Sequence, residues 1–184
     1  MSGEIDTETK LKLYMLIANR YKDLISKQEE RSVSEIRMRV SPYNDHIRSI
    51  RDRLLSDFHP YTAERDFMTA AQRAIQHIKE IKTVKFLLTF WMSFEEISEL
   101  RIAGVMDKAL LLAALLRSLE GVDVLVLVTK SDRVFVNFNW KGDKYLVAPE
   151  SGSLLAGDDA NKIFESDKPA YAFSDLSYES FGEE

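Results

Sequence analysis

Through the first ninety residues the apolar positions recur at spacings of three and four, the period of amphipathic helices. Asp6 or Thr7 caps a helix expected to run to about Glu29, with Leu11, Tyr14, Ala18, Tyr21 and Ile25 along one stripe. Ser41-Pro42 reads as a second start, a capping side chain followed by a proline at the first helical position. Ile47, Ile50, Leu54 and Phe58 make its stripe, and His59-Pro60 ends it, because a residue before proline is pushed out of the helical region. Thr62 caps a third helix with Phe67, Ala71, Ala74, Ile78 and Ile81 inside, expected to reach about Thr89. Ser93-Phe94-Glu95-Glu96 fits a capping box and predicts a short helix to about Arg101, broken by Ala103-Gly104. The next helix, about 106–119, is apolar nearly all round, so it is expected to be buried on every side. Asp107 lies in its first turn, where the helix dipole favours a negative charge, and Gly121 supplies a stop.

Beyond Gly121 the period changes to two. Val122 to Thr129 is a β-branched and leucine run of the kind a buried strand uses. Arg133 to Trp140 alternates, with Val134, Val136, Phe138 and Trp140 on one side and Arg133, Phe135, Asn137 and Asn139 on the other. Lys141-Gly142-Asp143 is a turn, and Lys144 to Val147 a third strand ended by Pro149. Together these predict an antiparallel meander. The remaining tail reads as turns with one short helix, Ala160 to Glu165, pinned to the body by Tyr171, Phe173, Tyr178 and Phe181. The predicted class is α+β: a helical N-terminal region (1–85), then a core (86–184) with a buried central helix on a small antiparallel sheet, forming one compact unit.

Composition narrows the function classes. The chain has 184 residues, 45% hydrophobic and 30% charged, the balance of a globular protein. No apolar run approaches the roughly 20 residues of a membrane-spanning helix. The polar, acidic N-terminus carries no secretory signal, and with no cysteine a cytoplasmic location is expected. Thiolate metal sites are excluded, and His46, His59 and His77 stand apart without ligand spacing, so neither a metal nor a cofactor is expected. Gly152 to Gly157 lacks a phosphate-loop ending, and Ser118 and Ser131 have no base nearby in sequence. The net charge of −5 argues against general nucleic-acid affinity, although residues 20–53 are rich in Arg and Lys. The basic face is expected to be a solvated surface.

One region carries a resemblance. Phe90-Trp91-Met92-Ser93-Phe94-Glu95-Glu96, followed by Gly104-Val105-Met106-Asp107-Lys108-Ala109 and the leucine run to Arg117, resembles the core of the transglutaminase-like (papain-related) family. Tyr171-Ala172-Phe173-Ser174-Asp175 extends the likeness, which covers about residues 86–181. The family's chemistry needs a thiolate at a helix start, a histidine to take its proton, and an acid to orient that histidine. Matched on Asp107-Lys108-Ala109, the cysteine position falls on Val105 or Met106. The histidine position, before Val134-Phe135-Val136, holds Arg133; the acid position, before Pro149, holds Ala148. Three departures together, in a chain without cysteine, imply a pseudoenzyme. The resemblance thus implies a non-catalytic module that binds a protein or peptide, with Trp91, Asp107, Asp132, Arg133 and Asn137 as candidate binding residues. Two other functions compete: an amide or peptide hydrolase with relocated catalytic residues, and a structural subunit of a replication assembly. The latter rests on a likeness of Tyr43 to Leu55 and Arg73 to Lys85 to subunits of the GINS complex. The helical half also offers a surface for self-association.

Overall fold

The computed structural model describes residues 6–86 and 90–182, and the chain is α+β. Its contacts divide it into two compact units. One comprises the N-terminal residues to Arg31 together with Lys85–Trp91. It holds α1 (Thr7–Gln28), capped by Asp6, whose carboxylate accepts from the Thr9 amide at 3.0 Å. The expected stripe is present but not buried: Leu11, Tyr14 and Tyr21 are exposed, and only Ala18 and Ile25 are partly covered.

The second unit comprises Ser32–Val84 and Met92–Glu184, so the helices after α1 pack with the sheet. Helix α2 (Val33–Met38), which the hydrophobic pattern does not announce, is held by a Ser32–Glu35 capping box. Helix α3 (Asp45–Leu54) starts later than Ser41-Pro42 predicts. Asn44 is the cap, accepting from the amides of His46 and Ile47 at 2.9 and 3.2 Å, and Ser41-Pro42 lies in the turn before it. Helix α4 (Ala63–Lys79) ends well short of Thr89, a position outside the described residues. Its continuation is taken by β1 (Lys82–Thr83), which pairs in parallel with β2 (Ile102–Ala103). Helix α5 (Phe94–Leu100) carries the predicted Ser93–Glu96 capping box.

Helix α6 (Val105–Ser118) is the centre of this unit: every residue from Asp107 to Leu116 is buried. It packs against α3 and α4 on one side and, on the other, against β3 (Val122–Thr129) and β4 (Val134–Trp140). That double cover is why it shows no polar face. The predicted meander of β3, β4 and β5 (Asp143–Ala148) is present. Its β4–β5 hairpin turns on Lys141 and Gly142, with φ of 51° and 86°, the two left-handed positions a two-residue turn requires. The tail is more ordered than its sequence predicts. Around α7 (Asp158–Ser166) it adds β6 (Ser153–Ala156), β7 (Pro169–Phe173) and β8 (Tyr178–Ser180). The six antiparallel strands run β6-β5-β4-β3-β7-β8, so the late strand β7 flanks the early strand β3. Helix α7 covers part of the face opposite α6, where Ile163 and Phe164 meet Leu127, Phe135, Leu146 and Ala172.

The link from α6 to β3 is tight. Glu120, not Gly121, takes the left-handed conformation (φ 65°), and the Gly121 amide donates to Leu116 O at 2.8 Å. Gly121 is required by space: a Cβ there would lie 2.7 Å from Leu116 O and 2.8 Å from Val124 Cγ2. Gly121→Ala is therefore expected to lower stability by about 1–3 kcal/mol in denaturant unfolding, since the close neighbours belong to backbone and core.

Candidate functional site

The two ends of α6 differ in kind. At its start, Val105 and Met106 are partly buried, and the two residues after them are fastened inward. The Asp107 carboxylate accepts from the Met92 and Gly104 amides and faces Arg39 Nη1 at 3.7 Å. Its Oδ1 has no hydrogen-bond partner, and burial pushes its pKa up to about 6 against the pull of the Arg39 guanidinium. Arg39 also donates to Met92 O and lies over the Phe94 ring, 5.4 Å from its centroid. Lys108 is fully buried. Its ammonium donates to Ile81 O at 2.9 Å, Thr83 Oγ1 at 3.0 Å and Glu150 O at 3.3 Å, one acceptor for each proton. Desolvation lowers its pKa. The Asp-Lys pair that carries the sequence resemblance is thus a structural fastening, joining α6 to β1, to the segment before α5 and to the end of β5.

The other candidate positions are separated from one another. Arg133 projects to the α7 side of the sheet, with its guanidinium 5.0 Å from the Phe135 ring centroid and 3.9 Å from Asp167 Oδ2. Asp167 also accepts from the Ser131 amide at 3.2 Å, so this turn is tied to the end of α7. Asp132 is exposed on the same turn with φ 61°. Ala148 ends β5 and packs at the margin of the α7 cluster. Trp91 belongs to the first unit, where its indole donates to Glu29 O at 3.1 Å.

Asn137, one of the five binding candidates, lines a large cavity. It opens by the C-terminal end of α6, on the part of the sheet face that α7 leaves uncovered, with a volume of about 840 Å³. Its lining is mixed: Arg117 and Gly121, the first residues of β3, Asn137, Asn139 and Lys144 from the hairpin, and Ser174, Leu176 and Ser177 from the β7–β8 turn. A β-bulge shapes it. Asp123 has φ 51°, and the β3–β4 register shifts between Val122 and Leu125. Asn137 Nδ2 donates to Asp123 O at 3.1 Å, and Asn139 Nδ2 to Asp123 Oδ2 at 2.7 Å, fixing the bulge. The opposite wall is held by Arg117, which grips Asp175 through two hydrogen bonds of 2.9 and 3.0 Å. Arg37 of α2 fixes the same turn by donating to Ser174 O and Asp175 O. Two of the basic residues that read as solvated surface, Arg37 and Arg39, therefore face inward.

Sequence reasoning did not single out Asp123, and it touched Arg117, Ser174 and Asp175 only as parts of the resemblance, not as lining residues. The visible signal was Asp123, a lone acid inside an otherwise apolar strand. Among the described residues no group of three His, Asp or Glu side chains is placed to hold a metal ion. No described helix is long and apolar enough to cross a membrane. No family model matches the chain, and neither a curated protein nor a solved structure is found similar to it.

Two predictions follow from the α6 start. Lys108→Met removes the donor to the buried Ile81 carbonyl and to Thr83 Oγ1 and Glu150 O, and is expected to cost about 2–4 kcal/mol in denaturant unfolding. Asp107 titrates at about 6 when folded, against 3.8 unfolded. Its protonated form therefore favours the fold below pH 3.8, and that contribution is lost as pH rises through about 6. Asp107→Asn is expected to gain on the wild type by about 2 kcal/mol between pH 4 and 7.5. A stability difference that stays constant over that range counts against the buried carboxylate.

Proposed function

We propose that the chain is a non-catalytic, transglutaminase-like binding module that recognises a peptide segment of a protein partner. The observation carrying this reading is the cavity of about 840 Å³ at the C-terminal end of α6. Its walls combine apolar surface, amide groups and held charges, the mixture that orients a ligand while burying it. The absence of cysteine removes the nucleophile of the related chemistry, and the α6 start is occupied by the Asp107 and Lys108 fastenings. Recognition in this reading sits at the end of the helix opposite the one a thiolate would use. A peptide suits the groove because its lining offers both the apolar Leu176 and the polar side chains of Lys144, Asn137 and Asn139.

Selection of phage-displayed peptides on the immobilised full chain tests this. Enriched peptides, resynthesised, are expected to bind in calorimetry and to lose tenfold or more in affinity with Leu176→Asp or Lys144→Glu. Both residues are exposed, so the fold is spared. Enrichment of no peptide, or binding indifferent to both changes, overturns the reading.

A further inference from the structure

A second, smaller cavity adjoins the groove. It has a volume of about 430 Å³ and lies between the start of α4 and the β4–β5 hairpin. Glu120, Val122 and Asn139 line both cavities, so the two share a wall. We propose that this smaller cavity takes the arginine side chain of the bound peptide, an inference that rests on the groove being the peptide site.

Three features of its lining point to a guanidinium. Phe67 and Val122 give it an apolar wall suited to the methylene stem of a long side chain. Glu64 and Glu120 both line it, and neither forms an ion pair with another described residue. Trp140 supplies an indole that already holds a cation: Lys141 Nζ lies 4.4 Å from the ring centroid. Lys141 is exposed on the hairpin turn, so its ammonium can return to water as an incoming cation takes its place. A guanidinium is the better occupant, because it is planar, stacks on an indole and offers a fork of donors to a carboxylate. The net charge of −5 favours approach of a basic segment.

The test is an NMR titration of the full chain with N-acetyl-arginine methylamide and with its uncharged citrulline counterpart. The Trp140 indole signal, assigned with Trp140→Phe, reports occupancy. The arginine compound is expected to bind about fivefold more tightly or better than the citrulline compound. Glu64→Gln and Glu120→Gln should each weaken it about threefold, while Lys141→Ala should leave it equal or tighter. Equal binding of the two compounds, or affinity unmoved in the double Gln variant, overturns the inference. Failure here is distinct from failure of the groove. Selected peptides that lack arginine yet lose affinity with Leu176→Asp overturn the arginine pocket alone. Specific binding of the arginine compound when no peptide is enriched supports the pocket and overturns the groove.

Discussion

Burying a lysine ammonium is among the costlier acts in folding, and this fold is arranged around one. Lys108 is tolerated in the interior because three acceptors from two separate segments meet it: Ile81 and Thr83 at β1, and Glu150 after β5. The stretch Ile81–Thr83 and Glu150 lie far apart in sequence, and Thr83 and Glu150 are themselves joined through the Thr83 hydroxyl. The first turn of the helix bearing Lys108 is thereby tied to both segments. Nine residues further along the helix axis, about 14 Å away, Arg117 near the end of the same helix is locked to Asp175. The start of α6 is therefore an anchor and its end a rim.

That division of labour gives the proposed function its logic. A catalytic helix start must stay open to solvent and substrate, whereas here its first buried turn is committed to internal bonds. The open surface lies where the sheet outruns its cover. Helix α7 shields Leu127, Phe135 and Leu146, but the hairpin end of β4 and the bulged start of β3 extend beyond it. The bulge at Asp123, held by two asparagine amides, turns that uncovered margin into a shaped groove.

The sequence made some of this legible and hid the rest for identifiable reasons. An all-round apolar helix, an alternating strand and a Ser–Glu capping box are local signals, and α6, β4 and α5 obey them. The end of α4 is not legible in the spacing, because the apolar period continues past Lys79, where pairing of Lys82–Thr83 with Ile102–Ala103 takes over. Strands β6, β7 and β8 are short and lie among turn-forming residues; partners supplied by the tertiary fold, not intrinsic preference, make them strands. Asn137 could be picked out as a polar residue on an alternating strand. Arg117 and the Ser174–Ser177 turn could not, because a cavity is defined by what a distant helix fails to cover, and no residue spacing encodes that.

The position of β7 in the sheet has a consequence for how the molecule is made. Strand β3 is paired on one side with β4, its neighbour in the chain, and on the other with β7, which follows it by some forty residues. During synthesis the meander can form early, yet until residues 169–173 leave the ribosome β3 presents an open hydrogen-bonding edge flanked by Val126 and Val128. Such an edge is sticky, and its exposure lasts for as long as translation takes to reach β7. The chain is thus most open to mispairing with other nascent copies in the interval between the arrival of β4 and that of β7.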